Sequence, residues 1–322
     1  MGETSAESLT ESKITSTLSA SASGKEHMNA LIFGANGQDG RYLSELCEIK
    51  GISPIGISRS DAMTRADVSS YTQVEELVKQ YMPRYIFHLA ASSTTRHEAL
   101  FDNHQTIATG TLNILESVRV HSPQTKVFLT GSGLQFVNAG KPISENDPFE
   151  ASNPYSVARI QSVYAGRYFR SLGIKVYVGY LFHHESPLRK PNHVSKMIVL
   201  AAQRIASGSN EKIDLGDISV EKEWTFAGDV ARAMFTLISQ DAIFEATIGS
   251  GTTYSIRDWL DQCFGLIAKN WHDYVHIREG FTPEYKKLVS NPATIRSLGW
   301  SPQTGFSELA RMMMTSQTNF NN

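Results

Sequence analysis

The stretch NALIFGANGQDG, residues 29–40, constrains the chain more than any other. A short apolar run ends on Gly34, glycines recur at Gly37 and Gly40, and RYLSELCEIKG then places apolar residues at helical spacing and closes on Gly51. That order is strand, glycine turn, helix. It repeats: SPIGIS, SYTQVEELVKQYM, YIFHLAA, TIATGTLNILESVRV, KVFLTGS, PYSVARIQSVYAGRYFRSLG and KVYVGYLF alternate between strand and helix. Parallel strands need helical crossovers that cover both faces of their sheet, so the pattern predicts an α/β chain with a doubly wound parallel sheet over residues 28–181. From about residue 182 the alternation loosens into a basic loop, the helix VSKMIVLAAQRIASG and shorter elements up to LGWSP. This part, 182–322, is expected to form mainly a smaller substrate lobe, partly interleaved with the first domain. The terminal FSELARMMMTS reads as a capping helix that buries methionines.

At 322 residues and 41% hydrophobic, the chain can bury one large core and a smaller lobe. Lysine plus arginine (30) nearly balance aspartate plus glutamate (32), which argues against a nucleic-acid partner. No run of eighteen apolar residues and no secretory leader is present, so neither a membrane partner nor a membrane span is expected. Cys47 and Cys263 lie in apolar helical patterns and read as buried thiols, which fits a cytoplasmic location. Residues 1–27 are rich in Ser, Thr, Glu and Ala, with four glutamates and no arginine; they read as a disordered tail rather than a transit peptide.

Gly34, Gly37 and Gly40 stand where a first strand meets a first helix. A dinucleotide pyrophosphate needs a tight turn, close backbone approach and helix N-terminal amides, and that position supplies all three. The second strand ends in Ser58, Arg59 and Ser60, with no acid for a free adenosine ribose. Arg59 favours a 2′-phosphate and therefore NADP; a solvated Arg59 with NAD is the alternative. Asp67, near the end of a third strand, is placed to accept from the adenine amine or to cap the next helix.

At the other end of the cleft, Ser132 follows the fifth strand and Tyr155 opens the next helix, in NPYSVAR. Arg159, four residues on, shares a helical face with Tyr155, and a cation there helps the phenol exchange a proton with a sugar hydroxyl or ketone. A metal site from His183, His184 and Glu185 is not expected, because adjacent side chains on an extended segment point to opposite faces.

These stretches resemble the extended short-chain dehydrogenase/reductases that modify nucleotide sugars (the NAD-dependent epimerase/dehydratase family), most of all the GDP-mannose 4,6-dehydratases. GANGQDGRYLSELCEIKG is similar to that family's GxTGQDGxYLxELLLxKG, NPYSVAR to its SPYAVAK, and GYLFHHESPLR to its GILFNHESPRR, with the likeness running from about Asn29 to Pro302. The resemblance implies a Rossmann-type fold in which Gly34, Gly37 and Gly40 hold the pyrophosphate and Arg59 the NADP phosphate. Asp67 and Val68 would face adenine, and Leu89 and Ala91 the nicotinamide. Ser132 and Tyr155 would be catalytic, with Arg159 in the place of the family's lysine. His183 replaces an asparagine in the substrate loop beside His184, Glu185 and Arg189, while Lys222 and Arg278 become candidates for the diphosphate or ribose. The family also implies a homodimer or homotetramer.

Three departures bear on function. Where a dehydratase carries a glutamate that moves the C5 proton, this chain has Leu134. Arg159 keeps a positive charge but cannot relay a proton, and Lys222 replaces an arginine, giving charge without a bidentate grip. The sequence therefore favours reduction of a 4-keto (6-deoxy) GDP-hexose. The alternatives are a 4,6-dehydratase with a displaced base, Glu145 or Glu150, and an impaired protein that binds cofactor or nucleotide sugar without turnover; epimerisation at C3 or C5 also stays open.

Overall fold

The computed structural model describes residues 28–60 and 64–316; the expected tail over 1–27 lies outside them. Six strands alternate with helices: β1 (Asn29–Phe33), α1 (Gln38–Ile49), β2 (Ser53–Ser58), β3 (Thr64–Arg65), α2 (Tyr71–Tyr81), β4 (Tyr85–His88), α3 (Leu100–Asn103), α4 (Gly110–His121), β5 (Lys126–Ser132), α5 (Pro154–Ser171) and β6 (Val176–Leu181). The second half adds β7 (His184–Glu185), α6 (Val194–Ala206), β8 (Ile213–Leu215), β9 (Glu221–Glu223), β10 (Thr225–Phe226), α7 (Ala227–Ile238) and β11 (Glu245–Ile248). Then come β12 (Thr253–Ser255), α8 (Ile256–Gly265), β13 (Val275–Ile277), β14 (Lys287–Leu288), α9 (Ala293–Ser297) and α10 (Phe306–Thr315).

Seven strands form one parallel sheet in the order β3-β2-β1-β4-β5-β6-β11. Its strands are apolar on both faces because both are covered. On one side Leu31, Phe33, Val127 and Val176 meet Val74, Val78, Ile114 and Val163 from α2, α4 and α5. On the other, Ala30, Ile32, Phe87 and Phe128 meet Leu43 and Cys47 of α1 and Val230 and Met234 of α7. The chain thus returns to the first domain after residue 182, supplying α7 and the edge strand β11. Strand order reverses between β1 and β4, which opens a crevice at the carboxyl edge where a ligand can enter.

The smaller lobe has its own core. Trp224 stacks on Trp259 at 4.4 Å between ring centroids, and Ile198, Phe264, Leu309 and Met313 pack around them. Helix α10 buries Leu309, Ala310 and Met313, as its apolar spacing predicts. Between α3 and α4 the helix widens into a π turn over His104–Thr109, which the sequence reads as ordinary helix.

Candidate active site

At the β1–α1 turn the glycines divide the work. A Cβ on Gly34, whose φ is +90°, would lie 2.7 Å from the Ala90 nitrogen, and one on Gly40 would lie 2.6 Å from the Ala35 Cα. Those two permit the close strand-to-helix packing. A Cβ on Gly37 would meet only the Gly34 oxygen, at 3.4 Å. Gly37 is the N-cap of α1 and, having no side chain, cannot cap the helix, so its first amides are left for a ligand such as a pyrophosphate.

The Asn36 amide donates to the Ser58 hydroxyl (3.1 Å) and the Ser60 carbonyl (2.6 Å), fixing the turn that carries Arg59. Arg59 itself is exposed. Asp67 Oδ1 accepts from both the amide and the hydroxyl of Ser69 (2.9 and 2.8 Å), so one carboxylate oxygen is occupied by a turn. Val68 is buried, its carbonyl accepting from Asn113. Leu89 and Ala91 are half-buried just past β4, with the Leu89 amide donating to the Phe33 carbonyl.

The chemical end gathers at β5 and α5. Ser132 ends β5; its hydroxyl accepts from the Leu134 amide (3.2 Å) and its own amide donates to the Gln135 side chain (2.8 Å). Asn153 caps α5 through a reciprocal pair with Ser156, and Pro154 at the first helical position presets the backbone. This places Tyr155 in the first turn, half-buried, with the Arg159 guanidinium 5.0 Å from its ring centroid. Arg159 is only 4% exposed and has no carboxylate partner among the described residues. Its Nη1 donates to the Thr130 carbonyl (2.6 Å) and hydroxyl (2.5 Å), while Nε is buried without a hydrogen bond. Behind it, burial and the Arg159 charge lower His88 to about 4, so that ring is neutral.

GQDG and HHES, far apart in the chain, meet here. Asp39 Oδ1 pairs with His184 Nε2 at 2.9 Å, Gln38 donates to the His184 carbonyl (3.4 Å), and the Ser186 hydroxyl donates to Gln38 (2.8 Å). Burial opposes protonation of His184, but the charge and hydrogen bond of Asp39 outweigh it and raise its pKa; Asp39 is lowered reciprocally, against its own burial. Glu185 Oε2 accepts from Arg189 at 2.7 Å and Oε1 lies 3.7 Å from Lys222 Nζ. Burial would raise this carboxyl, yet the two cations bring it down to about 2. Lys222 also sits 4.5 Å over the Trp224 ring. His183 Nε2 meets the Tyr285 hydroxyl, and burial with the Lys222 charge holds the ring well below the ordinary histidine range.

Ser132, Tyr155, Arg159, His183, Glu185, Arg189 and Lys222 therefore converge on the carboxyl edge of β5 and β6. Arg278 does not: it is exposed beyond β13, with its guanidinium over Phe281. Glu145 accepts from the Thr294 hydroxyl, whereas Glu150 is exposed with its amide donating to the Gln135 carbonyl (2.8 Å). Sequence reasoning misses Gln38 and Asp39 as a clamp on the substrate loop, although both lie inside a stretch already singled out. It also misses Tyr285 and Thr130, which carry no sequence signal, and Glu223, a buried carboxylate raised by burial that accepts amides from Ser250 and Ser290 and ties β9 to those loops.

The family model for GDP-mannose 4,6 dehydratase matches residues 31–313. GDP-mannose 4,6 dehydratase 2 of Arabidopsis thaliana is 30% identical, the match covering 88% of this chain and 85% of the relative. Among solved structures, dTDP-glucose 4,6-dehydratase from Bacillus anthracis in complex with NAD superposes with a TM-score of 0.78 at 17% identity, covering 89% of this chain and 95% of that one. RMD from Pseudomonas aeruginosa complexed with NADPH gives 0.78 at 20% identity, covering 89% and 97%. With the family model spanning both lobes, the chain belongs to the GDP-mannose 4,6-dehydratase family of nucleotide-sugar dehydratases and epimerases.

Proposed function

We propose that the chain is an NADP-dependent 4,6-dehydratase of a GDP-linked hexose. The observation that carries this reading is the placement of Tyr155 beside the buried Arg159 guanidinium, which is bonded to Thr130 on β5, two residues before Ser132. Arg59 at the end of β2 supports NADP over NAD. Gly34, Gly37, Gly40 and Arg59 would hold NADP, which would supply reversible hydride transfer at the sugar. Tyr155 takes the proton of the C4 hydroxyl, Ser132 orients that oxygen, and Arg159 supplies a fixed positive charge under the phenol. Arg189 and Lys222, partly neutralised by Glu185, offer cations to the diphosphate.

The family match over residues 31–313 does not support the preference for a 4-keto reductase and lies closer to the dehydratase reading. That preference rested on the missing carboxylate at Leu134. That absence removes one proton carrier, while Ser132 and Tyr155 stay in place and Arg159 and Lys222 keep the positive charges of the residues they replace. Exposed Leu112 and Val120 on α4, and Tyr164 and Tyr168 on α5, support a homo-oligomer joined through those helices.

The test is incubation with GDP-mannose and NADP, followed by mass spectrometry. A product lighter by one water is expected; no such product, together with NADPH-driven reduction of a GDP-4-keto-6-deoxyhexose, would sink the reading.

A further inference from the structure

A 4,6-dehydration needs a group that removes the proton on C5, next to the C4 ketone, and delivers a proton to the departing C6 hydroxyl. Leu134 can do neither. Ser132 and Tyr155 are engaged at the C4 oxygen, and both oxygens of Glu185 face cations. Glu284 reaches over the N-terminus of α5 but is bound there by the Asn153 amide at 3.0 Å.

The register of the sheet identifies another group. β5 and β6 pair in parallel with Ser132 opposite Leu181. Just past that pair a Cβ added to Gly133 would strike the Phe182 ring at 2.9 Å, so the two chain ends stay close as β5 turns into a 3-10 turn over Gly133–Gln135. Leu134 and His183 each lie two residues beyond the paired Ser132 and Leu181. Leu134 and Tyr285, the hydrogen-bond partner of His183, both pack against the apolar cluster that contains Phe182.

We propose that the His183 imidazole, held by the Tyr285 hydroxyl, is the C5 proton carrier of this enzyme; the proposal rests on the dehydratase reading for the ketone that makes C5–H acidic. Nε2 is occupied by Tyr285, and Nδ1 makes no hydrogen bond among the described residues and is not sealed from solvent. With Nε2–H donated to the Tyr285 oxygen, the Nδ1 lone pair is free. It takes the C5 proton as the C–H electron pair becomes the C5=C6 bond and the C6–O pair leaves with oxygen. The imidazolium then gives that proton to the leaving hydroxyl, which departs as water, and the ring returns to neutrality. Burial and Lys222 keep the resting ring neutral, the form a base requires, while the Glu185 carboxylate favours the transient cation.

The step can be read without any hydride transfer. The NADP-bound protein is incubated in deuterium oxide with GDP-4-keto-6-deoxymannose, and loss of the C5 proton signal is followed by NMR. Wild type is expected to exchange it; His183→Asn and His183→Gln to exchange it about 100-fold or more slowly, and Tyr285→Phe, which keeps the ring packing, to fall between. Melting curves and NADP binding confirm that each variant is folded. Wild-type rates in the folded His183 variants, or no exchange by wild type, would overturn the proposal. Exchange by wild type, lost in the variants, with no conversion of GDP-mannose would leave His183 as the carrier and sink the hydride reading alone.

Discussion

At the β1–α1 turn the chain builds its candidate site with backbone: Gly34 and Gly40 let strand and helix close up, and Gly37 leaves room over the helix amides. At the ends of β5 and β6 it does so with side chains, most of them charged and deeply placed, each held by a partner: Arg159 by Thr130, Glu185 by Arg189 and Lys222, His184 by Asp39, His183 by Tyr285. A backbone site depends on space and on helix dipoles, so few residue types matter. A side-chain site depends on pairings, because a buried charge that loses its partner carries the full cost of desolvation. The departures from the family pattern, Leu134, Arg159 and Lys222, fall at the second site, where one replacement demands another.

The largest effect expected is at the chemical end. Tyr155→Phe removes the proton carrier at C4 and should lower turnover by roughly 10²–10⁴-fold while NADP binding, measured by fluorescence titration, is retained. At the cofactor end the glycines separate folding from binding. Gly34→Ala places a Cβ against the Ala90 backbone at a φ of +90° and should cost about 1–3 kcal/mol in urea unfolding. Gly37→Ala meets only one oxygen at 3.4 Å, so it should melt near wild type yet bind NADP weakly.

Arg159→Lys comes next. The shorter lysine does not reach the place from which Nη1 donates to both the Thr130 carbonyl and hydroxyl, so stability should fall by about 1–2 kcal/mol and turnover should fall with it; a rise in turnover would mark the arginine as decay. The Asp39–His184 clamp has a pH signature. The lowered Asp39 carboxyl contributes stability fully present above its ordinary value of 3.8 and lost as pH falls through its folded value. The raised His184 contributes below its ordinary 6.5 and is lost as pH rises through its folded value. Asp39→Asn should therefore cost the most near pH 5, about 1–2 kcal/mol, and progressively less in alkaline solution. Smallest is Arg59→Ala, which should weaken NADP about tenfold through a lost charge-assisted contact and leave NAD binding unchanged.

The sheet was legible in the sequence because each strand is a short apolar run bounded by a helix of amphipathic spacing, and that local pattern forces parallel pairing. The glycine cradle was legible for the same reason, being contained within seven residues. Tyr155, Ser132 and Arg159 could be placed once the order of strands was known. The clamp between Asp39 and His184 spans 145 residues, and the contact of His183 with Tyr285 spans 102. Nothing local marks such pairs: an aspartate in the first turn of a helix reads as a dipole partner and a tyrosine in a coil as surface. The preference for reduction, which the family match does not support, rested on Leu134, because the sequence shows which acid is missing at one strand end and not which side chains of the neighbouring strand lie beside it.

The central claim is that one bound cofactor moves a hydride from C4 to C6 of a GDP-hexose through the site at Tyr155. Single-turnover reaction with GDP-mannose deuterated at C4, analysed by NMR of the product, tests it most directly. Deuterium at C6 of a 4-keto-6-deoxy product is the expected result, and a 4-keto-6-deoxy product with no deuterium at C6, or substrate recovered unchanged by a protein shown to bind NADP, would contradict it.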